Sequence, residues 1–425
     1  MAQTYKFGKD GTWATKKGST LAYSDTNNAF KPLPFSFERN SIATRVNKEG
    51  LIEVVGNDIP RIDFSDDVNG ALLLEPTRSN LITYSEDFND ASWIKSDSSV
   101  TSGFLSLNGT LNADKLIPNT DNTPNHYIRK TVSISNLTDY SYSFFAKKGE
   151  YNFVSTYVSA LGGVYSWDLE NGVVLFGINA FIENYGNGWY RCGLNATSSS
   201  TSLSCRIYAS KYSDRNISFQ GDGTSGVYIF GAQLEQGSYA TSYIPTNGSI
   251  IQRAAETCNG SGNSEVFNDS QGVLFANMAA NSYGGGYKLI SLTDSTSGNS
   301  FVSIGMMSNT TQSYKQIRFG GINLFTNFND PIDQTSFNKI AIKYKSGDSS
   351  FYVNGFEIDS SSVTYTPSAN MSEFKFSYFQ DGDDFYGKTK EIGYYDTALT
   401  DAELETLTSY RSLNEMVTEL NLNAL

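Results

Sequence analysis

Residues 226–246, GVYIFGAQLEQGSYATSYIPT, contain the clearest change of pattern in the chain. Val227 and Ile229 fall on one face of a strand, and Gln233 continues that face, because side chains alternate between faces with a period of two. A Gln-Gly pair then predicts a turn, and Pro245 ends further pairing since proline has no amide hydrogen to donate. The stretch therefore predicts the last strand of a β domain and a domain boundary near residue 246.

The residues before this strand repeat its pattern. Strand-length runs such as HYIRKTVSIS, YSYSFFAKK and WYRCGLNA recur about every 10 to 15 residues, as in an all-β sandwich. Asn-Gly and Asp-Gly pairs between the runs predict hairpin turns. No helix-length amphipathic pattern separates them, which excludes an alternation of strands and helices. Residues 80–246 are therefore predicted to form an antiparallel, jelly-roll type β-sandwich.

A second sandwich is predicted downstream of the boundary. Residues 247–268 are interpreted as a linker, and residues 269–412 show the same spacing of strand-length runs. Near the end, Thr400 precedes an acidic first turn with Glu403 at its third position, a capping-box pattern that predicts one short helix. The remaining residues, 413–425, are interpreted as a tail.

The first 79 residues differ from the rest of the chain. Their apolar bursts are short and are divided by Gly, Pro and Asn, so they are too small for an independent core. Residues 1–79 are therefore interpreted as an extended attachment and oligomerisation segment; the alternative is that they fold back onto their own sandwich. Four arginines, Arg39, Arg45, Arg61 and Arg78, are candidates for docking onto other subunits.

Composition and charge exclude several functions. The formal net charge is −13, and the chain has no basic run that would release counterions from a nucleic acid, so that partner is not expected. No uninterrupted apolar run reaches the roughly 18 residues of a membrane span, and no apolar signal core is present near the start. We expect a chain made in the cytoplasm, without membrane insertion.

Three cysteines and one histidine restrict the chemistry further. Cys192 and Cys205 are placed symmetrically about a predicted turn, which indicates two apolar core residues on paired strands, with a cross-strand disulfide as the alternative. Cys258 is predicted to be a free thiol in a loop. His126 is predicted to lie at the surface or at a strand edge. A single histidine argues against the usual zinc sites and histidine-dependent nucleophiles.

Several strings together resemble a known group of proteins. Residues 37–64 (FERNSIATRVNKEGLIEVVGNDIPRIDF), residues 71–96 (ALLLEPTRSNLITYSEDFNDASWIKS) and residues 231–246 (GAQLEQGSYATSYIPT) resemble a modular pattern of tailed-bacteriophage virion proteins such as tail and head fibres. The middle part of that pattern resembles a carbohydrate-binding-module jelly roll. Residues 350–358 (SFYVNGFEI) and 385–407 (FYGKTKEIGYYDTALTDAELETL) are similar to laminin-G-like and concanavalin A-like lectin sandwiches.

The resemblance implies a non-enzymatic protein of the virion surface, assembled in the host cytoplasm as a homotrimer. Its partners would be other virion proteins and host surface polysaccharide. Two alternatives remain open: a capsid- or tail-decorating protein with lectin-like domains but no ligand, and a polysaccharide depolymerase.

Aromatic side chains are the candidates for carbohydrate binding, because a sugar ring stacks its apolar C–H face on a flat aromatic ring. In the middle sandwich these candidates are Tyr151, Tyr157, Trp167 and Trp189. The alternative for each is a ring buried in the sandwich.

Carboxylates are concentrated in FQDGDDFYGKTKE, where Asp381, Asp383 and Asp384 share one loop and Glu391 lies on the next strand. We expect a plain solvated turn here. The alternatives are a calcium site, because an oxygen-rich loop with a glycine turn suits that ion, and, with Glu391, a pair of catalytic carboxylates.

Overall fold

The computed structural model describes residues 4–26, 29–213, 218–283, 286–294, 300–308, 311–325, 328, 330–367, 371–379, 382–420 and 422. Every strand pair within these residues is antiparallel, which confirms the predicted all-β class. The chain divides into two compact units. The terminal unit comprises residues 1–40, 56–76 and 255–425, and the central unit comprises residues 41–55 and 77–254.

The strands up to residue 104 are β1 (Thr4–Phe7), β2 (Ala14–Lys16), β3 (Ser19–Thr26), β4 (Ala29–Glu38), β5 (Ala43–Val46), β6 (Ile52–Val55), β7 (Arg61–Asp63), β8 (Ala71–Leu74), β9 (Arg78–Asn80), β10 (Ile94–Ser96) and β11 (Ser98–Phe104). The next are β12 (Ala113–Pro118), β13 (Asn122–Thr123), β14 (Tyr127–Ser133), β15 (Asp139–Lys148), β16 (Phe153–Val158), β17 (Gly163–Asp168), β18 (Val173–Phe176), β19 (Ala180–Asn184), β20 (Trp189–Thr197), β21 (Ser202–Ser210), β22 (Phe219–Gln220) and β23 (Val227–Gln236). The last are β24 (Ile251–Arg253), β25 (Thr257–Asn259), β26 (Gln271–Ala280), β27 (Lys288–Thr293), β28 (Ser300–Met306), β29 (Ser313–Phe319), β30 (Ile322–Leu324), β31 (Asn338–Lys345), β32 (Ser349–Val353), β33 (Phe356–Ser361), β34 (Glu373–Lys375) and β35 (Gly387–Tyr395), followed by helices α1 (Asp401–Thr408) and α2 (Leu413–Glu419). Lys9–Gly11 and Ser159–Leu161 form short 3₁₀ turns.

The central unit is a sandwich of two six-stranded sheets, ordered β10-β14-β21-β16-β17-β18 and β11-β12-β23-β15-β20-β19. Side chains alternate in and out of the space between the sheets, as the sequence predicts: Tyr140, Tyr142 and Phe144 all point into the core. Opposite them, Ile128 and Ile207 point inward from the first sheet. The apolar face of each sheet is therefore buried against the other.

Gly231 changes the predicted alternation of β23. Its φ is +58°, and an added Cβ would lie 2.8 Å from the Phe145 ring, so only glycine fits. The pairing of β15 with β23 shifts register at this point, which makes a β-bulge. The residues that follow Ile229 into the core are consequently Ala232 and Leu234. The prediction that Gln233 continues the face of Val227 and Ile229 is wrong.

The segment after β23 lies back on the sandwich. The buried carboxylate of Glu235 accepts hydrogen bonds from the backbone and hydroxyl of Thr241 (2.9 and 2.5 Å). The Gln233 side-chain oxygen accepts from the Ile244 amide (2.7 Å), and the Tyr243 ring packs against aromatic neighbours. The unit does not end at residue 246, however, because β24 pairs with β9.

The terminal unit packs a twelve-stranded sheet against a five-stranded one. The main path of the larger sheet is β25-β4-β3-β1-β35-β26-β31-β32-β33, with β2, β7 and β8 attached, and the smaller sheet is ordered β30-β29-β28-β27-β34. Their inner faces share one apolar core, which includes Leu274, Ile340, Ile290 and Val302.

Residues 4–40 are part of this unit rather than an extended segment. β1 pairs along its whole length with β35, so that Thr4 lies opposite Tyr395 and Phe7 opposite Ile392. Apolar side chains of this stretch are buried in the terminal unit's own core, where Tyr5 and Phe35 pack against Phe374 and Phe7 packs against Phe35. The fold-back alternative therefore describes the structure, and the extended-segment interpretation is corrected. The attachment and oligomerisation role stays a prediction.

Four charged side chains connect the early strands of the terminal unit to its later part. Arg39 donates from Nη1 to Glu256 Oε1 (2.7 Å), and Arg61 donates from Nε to the same oxygen (2.8 Å). Arg61 also pairs with Glu75 (2.8 Å). All four side chains are at most 4 % exposed. Arg39 and Arg61 are thus internal ion-pair partners, which corrects their interpretation as docking residues.

Arg45 and Arg78, the other two docking candidates, also have acidic partners within the central unit. Arg45 lies directly opposite Glu53 on paired strands and donates to it (2.8 Å). Arg78 approaches Glu235 (3.8 Å).

The end of the chain contains two short helices, where the sequence predicted one helix and a tail. Thr400 and Glu403 form the predicted capping box at the start of α1, and Leu404 buries the inner side of that helix. α2 lies within residues 413–425, which corrects the interpretation of that segment as a tail. No helix in the described part of the chain is long and apolar enough to cross a membrane.

The cysteine and histidine predictions are partly corrected. Cys192 lies on β20 of one central sheet and Cys205 on β21 of the other, so they are core residues but not on paired strands. Cys258 lies on β25 rather than in a loop. All three are buried free thiols. His126 is fully buried, which corrects its predicted surface position. Its two ring nitrogens contact the carbonyl oxygens of Asp97 and Phe219 (2.8 and 2.7 Å).

The buried ion cluster predicts a large effect for Glu256→Gln. The change leaves two buried guanidinium groups with reduced compensation, and breaking a buried pair costs about 3–5 kcal/mol. We expect the terminal unit to lose stability by that amount in urea unfolding. Lys345→Gln, which removes the half-exposed pair with Asp348, should cost under about 1 kcal/mol. Equal losses in the two variants would contradict the stabilising role of the cluster.

The burial of the three cysteines predicts the outcome of a thiol-labelling experiment. Burial raises the pKa of Cys192, Cys205 and Cys258, and a buried, protonated thiol reacts slowly. We expect a thiol reagent to label none of them in the native chain and all three in denaturant without reductant. Labelling of only one in denaturant would reveal a disulfide and contradict the structure.

Candidate functional site

Three of the four predicted carbohydrate-binding rings are buried. Trp167 is fully buried and donates its ring N–H to the Phe181 carbonyl (2.8 Å). Tyr151 also belongs to the core between the sheets. Trp189 packs in a separate apolar cluster. Only the ring of Tyr157 is open to solvent, with 36 % of the residue exposed. The alternative of a buried ring therefore describes the other three.

Hydrogen bonds between the loop's own residues stabilise the candidate calcium loop. The Asp383 carbonyl accepts from the Tyr378 amide (3.2 Å), and the Asp384 carboxylate accepts from the Tyr386 hydroxyl (3.1 Å). Asp381 lies outside the described residues. Among the residues that the structure does describe, no three His, Cys, Asp or Glu side chains are grouped so as to hold a metal ion.

Tyr157 belongs to a row of side chains on the outer face of the first central sheet. In the pairing of β14 with β21, Tyr127 lies opposite Tyr208. In the pairing of β21 with β16, Tyr208 lies opposite Ser155, two residues before Tyr157. Because residues two apart share a face, these strands present Tyr127, Tyr157, Arg206 and Tyr208 together. We call this set the tyrosine–arginine face.

Arg206 is the centre of this face. Its guanidinium carbon lies 4.9 Å from the Tyr127 ring centroid and 5.2 Å from that of Tyr157. It donates from Nη1 to the Tyr208 hydroxyl (3.1 Å) and from Nε to the Ser204 hydroxyl (3.3 Å). The planar cation is thus held between two aromatic rings, an arrangement stabilised by cation–π attraction.

The backbone of Arg206 is fixed from the core side. Its carbonyl oxygen accepts hydrogen bonds from the Thr156 hydroxyl (2.6 Å) and from the Tyr142 hydroxyl (3.2 Å). Burial raises the pKa of Tyr142 and of Tyr208, so both hydroxyls keep their protons near neutral pH. The face is therefore built on rigid strands with supporting hydrogen bonds beneath it, as a pre-organised binding surface requires.

Two buried hydroxyls lie next to this row. Ser155 and Ser166 face each other across β16 and β17, and neither side-chain oxygen has a hydrogen-bond partner among the described residues. Phe176, opposite Ser166 on β18, is 41 % exposed. A buried hydroxyl without a partner is costly. Both hydroxyls are covered, so the part of the face that a ligand can reach consists of the exposed rings of Tyr157 and Phe176 and the Arg206 guanidinium, groups that bind polyhydroxylated ligands.

Sequence reasoning placed Tyr157 among the candidates but missed Tyr127, Arg206 and Tyr208. Their signal was present, since Tyr127 and Arg129 alternate in HYIRKTVSIS, as do Arg206 and Tyr208 in SCRIYAS. What the alternation could not supply was the register that brings these two strands side by side.

Comparisons with known proteins give no family. No family model and no curated protein matches the chain. Solved structures that resemble it include the SAP-like pentraxin of Limulus polyphemus, at 14 % identity and a TM-score of 0.26, over 34 % of this chain and 71 % of that one. The CBM40 of the Ruminococcus gnavus IT-sialidase, bound to α2,3-sialyllactose, has 16 % identity and a TM-score of 0.28, over 36 % and 94 %.

The sialidase of Trypanosoma rangeli, in complex with the inhibitor DANA, has 12 % identity and a TM-score of 0.28, over 93 % of this chain and 82 % of that one. TM-scores below 0.5 are too low for these likenesses to assign a fold or a ligand to the chain.

The different positions of two candidate rings predict effects on stability of different size. Trp167→Ala removes a fully buried indole and should destabilise the central unit by about 3–5 kcal/mol. Tyr157→Ala removes a ring at the surface and should change stability by less than about 1 kcal/mol. Urea unfolding followed by far-ultraviolet circular dichroism measures both. A large loss for Tyr157→Ala would show that its ring is structural.

Proposed function

We propose that the central unit binds carbohydrate on the tyrosine–arginine face. The observation that carries this proposal is the Arg206 guanidinium held between the rings of Tyr127 and Tyr157 at 4.9 and 5.2 Å. A sugar ring offers an apolar C–H surface to such rings and hydroxyls to the guanidinium. The supporting hydrogen bonds from Thr156 and Tyr142 already order the strand, so less conformational entropy is lost when a ligand binds.

We further propose that the chain is a surface protein of a bacteriophage virion, such as a tail or head fibre, which binds host surface glycans. Support for this part comes only from the resemblance of residues 37–64, 71–96 and 231–246 to phage virion proteins. On the same basis we propose a homotrimer with other virion proteins as partners.

We propose binding rather than catalysis for the two sandwiches. A depolymerase needs two carboxylates on either side of one bond. Burial raises the pKa of Glu391, and the charges that act on this carboxyl most strongly are those of Lys9, Asp10, Lys339 and Arg411. This environment does not favour the depolymerase alternative.

A retention experiment tests the binding proposal. The full chain should be retained on an array of bacterial surface polysaccharides, and Tyr157→Ala should weaken retention about tenfold through loss of one aromatic contact. Phe356→Ala is the matched control, because Phe356 is a 72 % exposed ring on β33 of the terminal unit.

Equal retention of the Tyr157→Ala, Phe356→Ala and unchanged chains would place binding elsewhere. No retention of the folded, unchanged chain by any polysaccharide would favour the decorating alternative.

A further inference from the structure

Two arginines lie directly opposite each other at the edge of the tyrosine–arginine face. In the pairing of β14 with β21, Arg129 is the partner of Arg206. Both side chains point away from the core, because their neighbours Ile128 and Ile207 are the residues buried inside. The outer face of the sheet therefore has two arginines at directly opposed positions on neighbouring strands.

Neither guanidinium has an acidic partner among the residues that the structure describes. Arg206 donates to the hydroxyls of Tyr208 and Ser204, both of them neutral. The Arg129 side chain forms no hydrogen bond or ion pair with any residue in the described part of the chain. This arrangement occurs in a chain with a net charge of −13, which contains 44 acidic residues.

Stability alone does not account for such a pair. Like charges directly opposite on paired strands are destabilising, whereas opposite charges stabilise the pairing. The same central unit shows the stabilising version, since Arg45 lies directly opposite Glu53 and bonds to it. A negative charge supplied by a ligand would convert the Arg129–Arg206 pair into a favourable arrangement.

We propose that Arg129 and Arg206 bind the anionic group of an acidic saccharide, either a carboxylate or a sulfate. This inference rests on the proposed function and specifies its ligand class. Guanidinium groups present paired N–H donors that match the oxygens of either anion. The rings of Tyr127 and Tyr157 next to Arg206 would hold the adjoining sugar.

The row of side chains has room for more than the charged group. Ile94, half exposed on β10, faces Arg129; Arg129 faces Arg206; and Tyr157 adjoins Arg206. With neighbouring strands about 4.8 Å apart, three such steps make a row about 14 Å long. The geometry therefore suits an acidic polymer that crosses the strands, with its anionic group in the middle.

The test measures affinity of the full chain for three soluble polymers: polygalacturonate for the carboxylate, dextran sulfate for the sulfate, and unmodified dextran as a neutral probe. We expect at least one acidic polymer to bind more tightly than dextran. Arg129→Gln should weaken that binding about tenfold, as expected for loss of a charge-assisted bidentate contact. Binding of the acidic polymer should also weaken between about 50 and about 200 mM salt, because salt screens exposed charges.

Lys147→Gln is the matched control. It removes the same charge from β15, in the other central sheet, and should leave affinity unchanged. Arg129→Gln should not lower the stability of the central unit, whereas a structural arginine would. An equal loss of affinity in the two variants would reveal non-specific attraction and overturn the inference.

The inference and the proposed function fail in different ways. Equal binding of acidic and neutral polymers, unaffected by Arg129→Gln but weakened by Tyr157→Ala, would overturn the acidic specificity and keep the carbohydrate-binding function. Absence of binding to these three polymers and to the polysaccharide array, with the chain folded, would overturn both.

Discussion

The Glu256 carboxylate is the point on which the terminal unit depends. It accepts hydrogen bonds from Arg39 and Arg61 and from the backbone amide of Glu75. The terminal unit consists of three separate stretches of chain, residues 1–40, 56–76 and 255–425. Arg39 is at the end of the first, Arg61 and Glu75 are in the second, and Glu256 is at the start of the third. One buried ion cluster therefore joins all three stretches where the chain leaves and re-enters the unit.

The energetics of burial make this connection specific. A buried charge is tolerated only when it is paired and its remaining hydrogen bonds are satisfied. Arg39 meets this requirement through Glu256 and also through the carbonyls of Gly56 and Ile59 (2.6 and 3.0 Å). Displacement of any of the three stretches would leave a charge unpaired in the interior. The central unit uses the same principle, with Glu235 holding Thr241, and Arg253 donating to the Thr241 hydroxyl (3.2 Å).

The recognisable strings and the candidate site are separate parts of the chain. Residues 37–64, 71–96 and 231–246 contain several of the buried polar groups of these junctions, namely Arg39, Arg61, Glu75 and Glu235. Arg253 and Glu256 lie outside these strings. The tyrosine–arginine face lies entirely outside those strings. The strings thus contain residues that hold parts of each unit together, whereas the residues proposed to bind a ligand lie on the outer face of one sheet.

Local pattern in the sequence determined the features that depend on neighbouring residues. Period-two alternation and turn residues were enough for the all-β class and for strands such as β15 and β23, and the Thr400–Glu403 spacing was enough for the start of α1. These features form over a few residues, so the sequence contains all the information they need.

Tertiary structure decided what depends on distant pairing and on burial. The pairing of β1 with β35 joins residues nearly the whole chain apart, and no local pattern specifies such a partner. Trp167 and Tyr157 both lie in strand-length runs of the sequence, yet the Trp167 ring is in the core and the Tyr157 ring is at the surface. Only the register of β14 with β21 places Arg129 opposite Arg206. The composition of the outer face is therefore a property of strand order, which the sequence encodes only through the fold as a whole.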